Sequence, residues 1–349
     1  MVSENYTLML MDATNRYNLS AFSTDAGPTM SHEDETEMIV STIVAIFFGF
    51  IGITGLLGNA LVVLVVLSNP QMRSTTNLLI INLAIADLLF VVFCIPFTAT
   101  DYVLASWPFG ELWCKSVQYL IVVTAHASIY TLVLMSLDRF LAVVHPIASM
   151  VIRTERNTVL AITILWVLII TTGLPVSFAH GINTCGFLEK DSPSWAAFHI
   201  AFFLSSYVVP LILISVLYMW MLSRLWRSSV GGGSAESKKG KKRVTRVAVI
   251  VVAAFASLWF PIQVILVLKS VDVFKPDTHF KISLQIVSHV LAYTSSCINP
   301  LLYAFLSENF RKAFRKIVYC GPGSRRQGSQ RHMPLPTKTT RTGSCPDIL

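Results

Sequence analysis

Long apolar stretches alternate with short polar ones along most of the chain. Each stretch reaches the roughly 20 residues that a helix needs to cross the hydrocarbon core of a bilayer. In lipid, continuous apolar stretches of this length satisfy their backbone hydrogen bonds only as helices, whereas barrel strands are shorter and alternate. The pattern therefore predicts seven membrane helices, over residues 38–67, 75–103, 112–144, 158–178, 196–222, 244–268 and 282–306.

The composition agrees with lipid as the solvent. The 349 residues are 54% hydrophobic and 13% charged, whereas soluble domains are about 25% charged. A helix bundle tolerates proline inside its spans because neighbouring helices satisfy the freed carbonyls. The prolines inside the predicted spans are Pro96, Pro175, Pro210, Pro261 and Pro300. We predict an all-α membrane protein built as a seven-helix bundle.

The basic residues orient this bundle. Of the 27 Lys and Arg residues, 21 fall on one set of connecting segments and after the last span, and the positive-inside rule places that side in the cytosol. The N-terminus is then extracellular, where Asn5 and Asn18 lie in glycosylation sequons. We recognise no cleavable signal peptide, so the first span serves as the anchor. The net charge of +8 follows from this topology and does not indicate nucleic-acid binding.

The six cysteines suggest one disulfide. Cys114 opens the third span and Cys185 follows the fourth, both on the oxidising face, so we expect a bond between them. Cys94 and Cys297 lie inside spans, where we expect them to pack as small apolar residues. No spacing of cysteine or histidine suggests a metal site.

Asp87 lies inside the second span, where an ionisable residue is costly, about 2.5–3.5 kcal/mol on insertion scales. The polar side chains of other spans that are candidates to surround it are Asn59, Ser128, Ser295, Ser296 and Asn299. Oxygen ligands suit a hard cation, so a sodium site is one interpretation. A hydrogen-bonded structural cluster is the other, and the sequence leaves the two open.

Asp138 and Arg139 lie together near the cytosolic end of the third span. There both side chains can reach water by snorkelling, which makes their charges inexpensive. A simple interface anchor is therefore one interpretation of the pair.

A set of short motifs, one per span, resembles the rhodopsin-like class of G-protein-coupled receptors. The motifs are Gly58-Asn59, LAIAD at 83–87, DRF at 138–140, Trp166, Pro210 with Tyr218, LWFP at 258–261 and NPLLY at 299–303. Each motif alone is weak, but the whole set in order, with the two extracellular cysteines, is specific. The resemblance implies a receptor that contacts a heterotrimeric G protein in the cytosol.

The resemblance also implies a switch. In that class Arg139 would be held at rest by Asp138 and offered to the G protein when the sixth helix swings outward. Tyr218 and Tyr303 would contact Arg139 in the active state, and Trp259 would relay ligand contact with its neighbour Phe255. The switch residues so implied are Asp138, Arg139, Tyr218, Thr245, Phe255, Trp259, Pro261, Asn299, Pro300 and Tyr303.

One departure from the class concerns the start of the sixth span. Many relatives have an acid there that also restrains the arginine, but this chain has KKGKKRVTR. Lys241 would repel Arg139, which leaves Thr245 as a hydrogen-bond partner. We expect a weaker restraint at rest and measurable basal signalling.

The extracellular mouth excludes two ligand classes within the resemblance. Amine receptors carry an aspartate where this chain has Ile121, and opsins carry a lysine where it has Tyr293. Aromatic and amide side chains suit the end of a peptide. The candidate ligand contacts are Tyr102, Gln118, Phe187, His199, Gln263, Lys269, Gln285 and His289. For Trp107 and Trp195 we prefer an interfacial position at the level of the lipid headgroups.

Longer matches, RSTTNLLIINLAIADLLFVVFCIPF and AFLSENFRKAF, resemble galanin receptors and, more closely, arthropod allatostatin-A receptors. Galanin receptors usually have two adjacent histidines where this chain has Ile262 and Gln263, which favours the allatostatin-A type. The resemblance implies a secreted amidated peptide ending in Phe-Gly-Leu as the agonist, and signalling through Gi/o. A galanin-like or other peptide is the alternative ligand. A membrane transporter is the alternative of another class, although we find no internal repeat.

We divide the chain into an extracellular tail (1–37), the bundle (38–306), a further helix (307–320) and a cytosolic tail (321–349). The further helix is amphipathic and is expected to lie on the lipid of the inner leaflet, with Cys320 as a palmitoylation site. The tail is expected to be disordered and to be phosphorylated by receptor kinases, which would recruit arrestin. The sequence indicates no cofactor beyond the candidate sodium ion and no enzymatic site.

Overall fold

The computed structural model describes residues 32–69, 74–104, 106–181, 185–187, 193–229, 235–275, 277–306 and 312. The predicted sequons at Asn5 and Asn18, the palmitoylation site at Cys320 and the 321–349 tail lie outside the described residues. So does all of the predicted 307–320 helix apart from residue 312.

Nearly all of the described residues are helical. In chain order the helices are α1 (His32–Ser68), α2 (Thr75–Phe93), α3 (Ile95–Val103), α4 (Gly110–Val144), α5 (Pro146–Ile152), α6 (Glu155–Gly173), α7 (Pro175–Ala179), α8 (Pro193–Phe203), a π-helical turn (Leu204–Val208), α9 (Val209–Ser229), α10 (Ala235–Ser270) and α11 (His279–Leu306). We name the membrane helices TM1 (α1), TM2 (α2 and α3), TM3 (α4), TM4 (α6 and α7), TM5 (α8, the π turn and α9), TM6 (α10) and TM7 (α11).

Six of these membrane helices, TM1 to TM6, are long and apolar enough in the described residues to cross a bilayer. The seventh predicted span, 282–306, lies within the continuous 28-residue helix of TM7. TM7 is less apolar because it carries several buried polar side chains, among them Gln285, Ser288, Ser295 and Asn299. The seven-helix bundle predicted from the sequence is confirmed.

The five prolines in the spans have different effects on their helices. TM2 is interrupted at Cys94, two residues before Pro96, and TM4 is interrupted at Leu174, directly before Pro175. Pro210 follows the π turn of TM5. Pro261 and Pro300 lie inside unbroken helices. Each proline removes one backbone donor, and the neighbouring helices support the chain at these positions.

TM3 lies at the centre of the bundle. It packs against TM2, TM4, TM5 and TM6, while TM1 packs against TM2 and TM7. One buried apolar cluster runs through these helices and includes Phe48, Leu83, Ile129, Met221 and Trp259. The predicted packing cysteines, Cys94 and Cys297, are both buried free thiols.

TM1 approaches TM2 and TM7 closely because of two glycines. A Cβ atom at Gly55 would lie 2.8 Å from a methyl of Val91 and 3.0 Å from the sulfur of Cys297. A Cβ atom at Gly58 would lie 3.1 Å from the ring of Pro300. Any larger side chain at either position would push TM1 away from the bundle.

A short β-hairpin covers the extracellular end of TM3, and the sequence analysis did not predict it. Strands β1 (His180–Gly181) and β2 (Gly186–Phe187) pair antiparallel. Cys185 precedes β2 and forms the predicted disulfide with Cys114, with Cα atoms 5.3 Å apart. The disulfide therefore holds the hairpin at the start of TM3, beside the mouth of the bundle.

Candidate ligand site and cytosolic switch

A cavity opens on the extracellular side of the bundle. It has a volume of about 100 Å³ and is bounded by TM2, TM3, TM5, TM6, TM7 and the hairpin. Its lining is mainly apolar, with polar groups from Asp101, Gln118, His180, His199 and His289. A mainly apolar cavity with a few polar groups is typical of a ligand site.

Three of the predicted ligand contacts line this cavity, namely Gln118, His199 and His289. The amide nitrogen of Gln118 donates to the backbone carbonyl of Cys185 at 3.3 Å. Tyr102 lies behind His289, with 3.3 Å between its hydroxyl and the Nδ1 atom of that histidine. Gln118 therefore contacts both the cavity and the loop that covers it.

Four other predicted contacts, Tyr102, Gln263, Gln285 and Lys269, are not among the lining residues. The amide nitrogen of Gln263 donates to the hydroxyl of Ser206 at 3.1 Å, so this side chain connects TM6 to TM5. Gln263 and Gln285 are 1% and 3% exposed, and neither side-chain oxygen has a hydrogen-bond partner among the described residues. Lys269 lies in the last turn of TM6. The side chain of Phe187, in β2, lies outside the described residues.

Three histidines that line the cavity make the same backbone contact. In His180, His199 and His289 the Nδ1 atom lies 2.8, 2.9 and 3.0 Å from the carbonyl oxygen four residues earlier. Because a carbonyl oxygen only accepts, Nδ1 carries the proton, and Nε2 of the neutral ring is an acceptor. The lining therefore includes three rings whose Nε2 atom is a hydrogen-bond acceptor rather than a donor.

His180 was missed by the sequence analysis because it lies in a loop with no distinguishing motif. Burial lowers the pKa of His180 to about 4, an effect that its hydrogen bond to the carbonyl of Val176 only partly opposes. The ring is therefore neutral at pH 7.

Below the cavity, Trp259 connects TM6 to TM7. Its indole nitrogen donates to the hydroxyl of Ser295 at 2.9 Å. The ring of Phe255 stacks on it, with centroids 5.6 Å apart. Trp259 also lines the cavity, so a group bound there touches a side chain whose other contacts lie deeper in the bundle.

Asp87 lies in a smaller polar cluster than the sequence suggested. Its carboxylate accepts from Ser128 at 3.0 Å and from Asn299 at 2.9 Å. Asn59 instead donates to the carbonyl of Ser296 at 2.7 Å, and Ser295 is the partner of Trp259. No group of three or more His, Cys, Asp or Glu side chains with metal-site geometry occurs in the described part of the chain.

At the cytosolic end of TM3, Asp138 is bound mainly by a residue that the sequence analysis did not consider. Arg153, which follows α5, donates to its two oxygens at 2.7 and 3.1 Å. The hydroxyls of Thr75 and Thr76 donate to the same carboxylate at 3.0 and 2.8 Å. Arg139 lies 3.7 Å from it and donates instead to the hydroxyl of Thr76. Arg153 and the two threonines are therefore closer partners of Asp138 than Arg139 is, and the restraint of Arg139 by Asp138 stays a prediction.

The remaining switch residues are placed as follows. Tyr218 is buried in TM5, and Pro261, Asn299 and Pro300 lie in TM6 and TM7. The side chains of Thr245 and Tyr303 lie outside the described residues.

The family model for the 7 transmembrane receptor (rhodopsin family) matches residues 58–303. The chain belongs to this family.

Individual curated receptors similar to this chain indicate which part of the family it belongs to. The allatostatin-A receptor of Bombyx mori is 63% identical over 327 residues, which cover 90% of both chains. The galanin receptor type 2 of Mus musculus is 40% identical over 79% of this chain and 76% of its own. The galanin-like G-protein coupled receptor npr-9 of Caenorhabditis elegans is 38% identical over 83% and 75%. The receptor thus lies in the group of galanin and allatostatin-A receptors.

Membership decides several expectations at once. The protein is a multi-pass receptor of the plasma membrane, it couples to G proteins, and it is not an enzyme. The transporter alternative is wrong.

The cytosolic helix α5 of this receptor carries an exposed apolar face, with Ile147 at 85% exposure beside Met150 and Val151.

Proposed function

We propose that this receptor binds an amidated neuropeptide of the allatostatin-A type and signals through Gi/o. The observation that carries the proposal is the 63% identity to the allatostatin-A receptor of Bombyx mori over 90% of both chains. Galanin receptors share about two-fifths of the aligned residues, so a galanin-like peptide is the second candidate.

The size of the cavity supports a peptide end as the ligand. Sites that enclose a whole small molecule usually measure about 300–1,000 Å³, whereas this cavity measures about 100 Å³. It has room for a terminal group and one side chain. The rest of the peptide would lie in the mouth, beside the hairpin and Gln118.

The polar groups support an amidated rather than a free C-terminus. A carboxamide has two N–H donors, whereas a carboxylate only accepts. When neutral, the three histidines that line the cavity each have one ring nitrogen that can accept a hydrogen bond, and a bound carboxamide has the donors for it. A free acid would meet these acceptors without a proton to share.

On the cytosolic side, outward movement of TM6 would expose Arg139 to the G protein. Ile147 on α5 would add an apolar contact to the same partner, since exposed apolar faces at a cytosolic surface mark interaction sites. Phosphorylation of the 321–349 tail by receptor kinases would recruit arrestin. The carboxylate of Asp87, with the hydroxyl of Ser128, has the oxygen chemistry of a sodium site.

The test uses the full receptor in nanodiscs with purified Gi heterotrimer. An allatostatin-A peptide with a C-terminal amide should stimulate nucleotide exchange, and the free-acid form of the same peptide should need a far higher concentration. Arg139→Gln should abolish the stimulation while peptide binding remains. Equal responses to amide and acid, or stimulation by galanin alone, would contradict the proposal.

A further inference from the structure

The π-helical turn of TM5 leaves one backbone carbonyl without its usual donor. The turn closes with the amide of Val209 bound to the carbonyl of Leu204, five residues earlier. In that register the next amide would bind the carbonyl of Ser205, but the next residue is Pro210, which has no N–H. In lipid such a carbonyl needs another partner.

TM3 supplies that partner. The hydroxyl of Tyr130 donates to the carbonyl of Ser205 at 3.0 Å. His126, one turn earlier on TM3, contacts the Ser205 hydroxyl through Nε2, also at 3.0 Å. Its Nδ1 lies 2.8 Å from the carbonyl of Val122, and the Ser205 hydroxyl also donates to the carbonyl of Ala201 at 2.7 Å. The π turn is therefore held on its TM3 side by both groups of Ser205.

The next two residues of the turn bind TM6. Ser206 accepts from the amide of Gln263 at 3.1 Å. The hydroxyl of Tyr207 donates to the backbone carbonyl of Ala256 at 2.8 Å. Ser205 thus binds TM3, whereas Ser206 and Tyr207 bind TM6. The extra residue of the π turn determines which of these side chains faces each helix.

The acceptor on TM6 lies next to the turn that Pro261 weakens. Pro261 has no amide to donate to the carbonyl of Ser257, four residues earlier, and Ala256 is the residue directly before Ser257. The Tyr207 ring is packed between Phe203 and Phe260, with centroids 5.9 and 6.4 Å away. The hydroxyl is thus directed at the hinge by its surroundings.

We infer that the Tyr207 hydroxyl restrains TM6 at its proline hinge, and that Tyr130 positions Tyr207 for this through the π turn. The inference rests on the proposed outward movement of TM6. Moving TM6 away from TM5 breaks the bond to Ala256 and leaves the Tyr207 hydroxyl without its acceptor in an apolar setting. The bond therefore favours the conformation in which Arg139 is engaged with Asp138 and Thr76.

The test measures nucleotide exchange by the G protein without any peptide, using purified full-length receptor. Tyr207→Phe keeps the ring and removes only the hydroxyl. Ligand-free exchange should rise about two- to tenfold, the factor by which one net hydrogen bond changes an equilibrium. A fluorophore at the cytosolic end of TM6 should report a larger fraction of the outward conformation.

The matched control is Tyr119→Phe. The Tyr119 hydroxyl also donates to a backbone carbonyl, that of Ile170 at 2.9 Å, but it connects TM3 to TM4. Both variants should lose similar thermal stability, and only Tyr207→Phe should raise ligand-free exchange. If the two variants have the same exchange rate as the wild type, or both change it equally, the inference is wrong.

Tyr130→Phe tests the positioning role. It should raise ligand-free exchange less than Tyr207→Phe does, and the double variant should match Tyr207→Phe alone because both act on one bond. Additive effects would contradict the positioning by Tyr130. These measurements contain no peptide, so they do not depend on which peptide the receptor binds. If the proposed ligand is wrong, a separate experiment shows it, because no amidated peptide then stimulates the wild-type receptor.

Discussion

Arg153 forms a bidentate ion pair with Asp138, with N–O distances of 2.7 and 3.1 Å. Arg139, the next residue after Asp138 in the chain, lies 3.7 Å from the same carboxylate. Arg153 is the residue that follows the cytosolic helix α5. The pair therefore connects the position of that helix to the charge beside the switch arginine. Bidentate hydrogen bonds between arginine and a carboxylate are stronger and more directional than a single hydrogen bond.

Removing Arg153 should strengthen the hold of Asp138 on Arg139. In Arg153→Gln the carboxylate loses its main cation, and Arg139 is the nearest replacement. Ligand-free exchange should fall roughly two- to fivefold, since partly exposed ion pairs contribute up to about 1 kcal/mol. The measurement is nucleotide exchange at matched receptor concentration. Arg156→Gln, a nearby exposed arginine, is the control, and a rise in exchange for Arg153→Gln would contradict the argument.

A negative charge at residue 245 should supply the restraint that the basic start of TM6 lacks. We expect Thr245→Glu to lower ligand-free activation because its carboxylate would attract Arg139. Thr245→Val, which adds no charge, separates this effect from loss of the hydroxyl. An unchanged basal level in the glutamate variant would refute the expectation.

Gln118 should matter for peptide potency in two ways, through the cavity and through the hairpin. Gln118→Ala removes a lining amide and frees the carbonyl of Cys185. Peptide potency should fall roughly tenfold, the factor that corresponds to about 1.4 kcal/mol. Ser116→Ala is the control, since the Ser116 hydroxyl donates to the carbonyl of Leu112 in its own helix at an exposed position. Unchanged potency in Gln118→Ala would show that the peptide binds elsewhere.

The stability of the receptor should decrease in mild acid because of His180. Its pKa in the fold is about 4, below the ordinary value of 6.5, so the unfolded chain takes up the proton first as the pH falls. The neutral ring therefore stabilises the fold fully above pH 6.5, and this contribution is lost towards pH 4, at roughly 1.4 kcal/mol per pH unit.

Thermal unfolding in detergent between pH 7.5 and 4.5 would measure this slope, with the conditions chosen around the two pKa values above. His180→Gln keeps a polar side chain that does not titrate. In this variant the stability should fall less steeply with decreasing pH, because one fewer proton is taken up on unfolding. Identical slopes for the two proteins would exclude His180 as the source.

Much of this architecture could be predicted from the amino-acid sequence alone. Span positions, orientation, the Cys114–Cys185 bond and the family all followed from local composition, from the side on which charges lie, and from short motifs. These properties depend on the length of apolar stretches and on the cost of charge in lipid, which neighbouring residues alone determine. The five prolines were visible too, but their different effects were not, because each depends on the helix that packs opposite.

Contact partners were decided only by the tertiary structure. Asp138 is bound by Arg153, 15 residues later, and by Thr75, 63 residues earlier, and Gln263 faces Ser206 rather than the cavity. The π turn of TM5 and the hairpin over TM3 were likewise invisible in the apolar pattern. The reason is that a helix in lipid satisfies its own backbone, so its sequence determines that it spans the membrane. Which of its polar side chains meets which partner depends on the rotation and depth of every neighbouring helix.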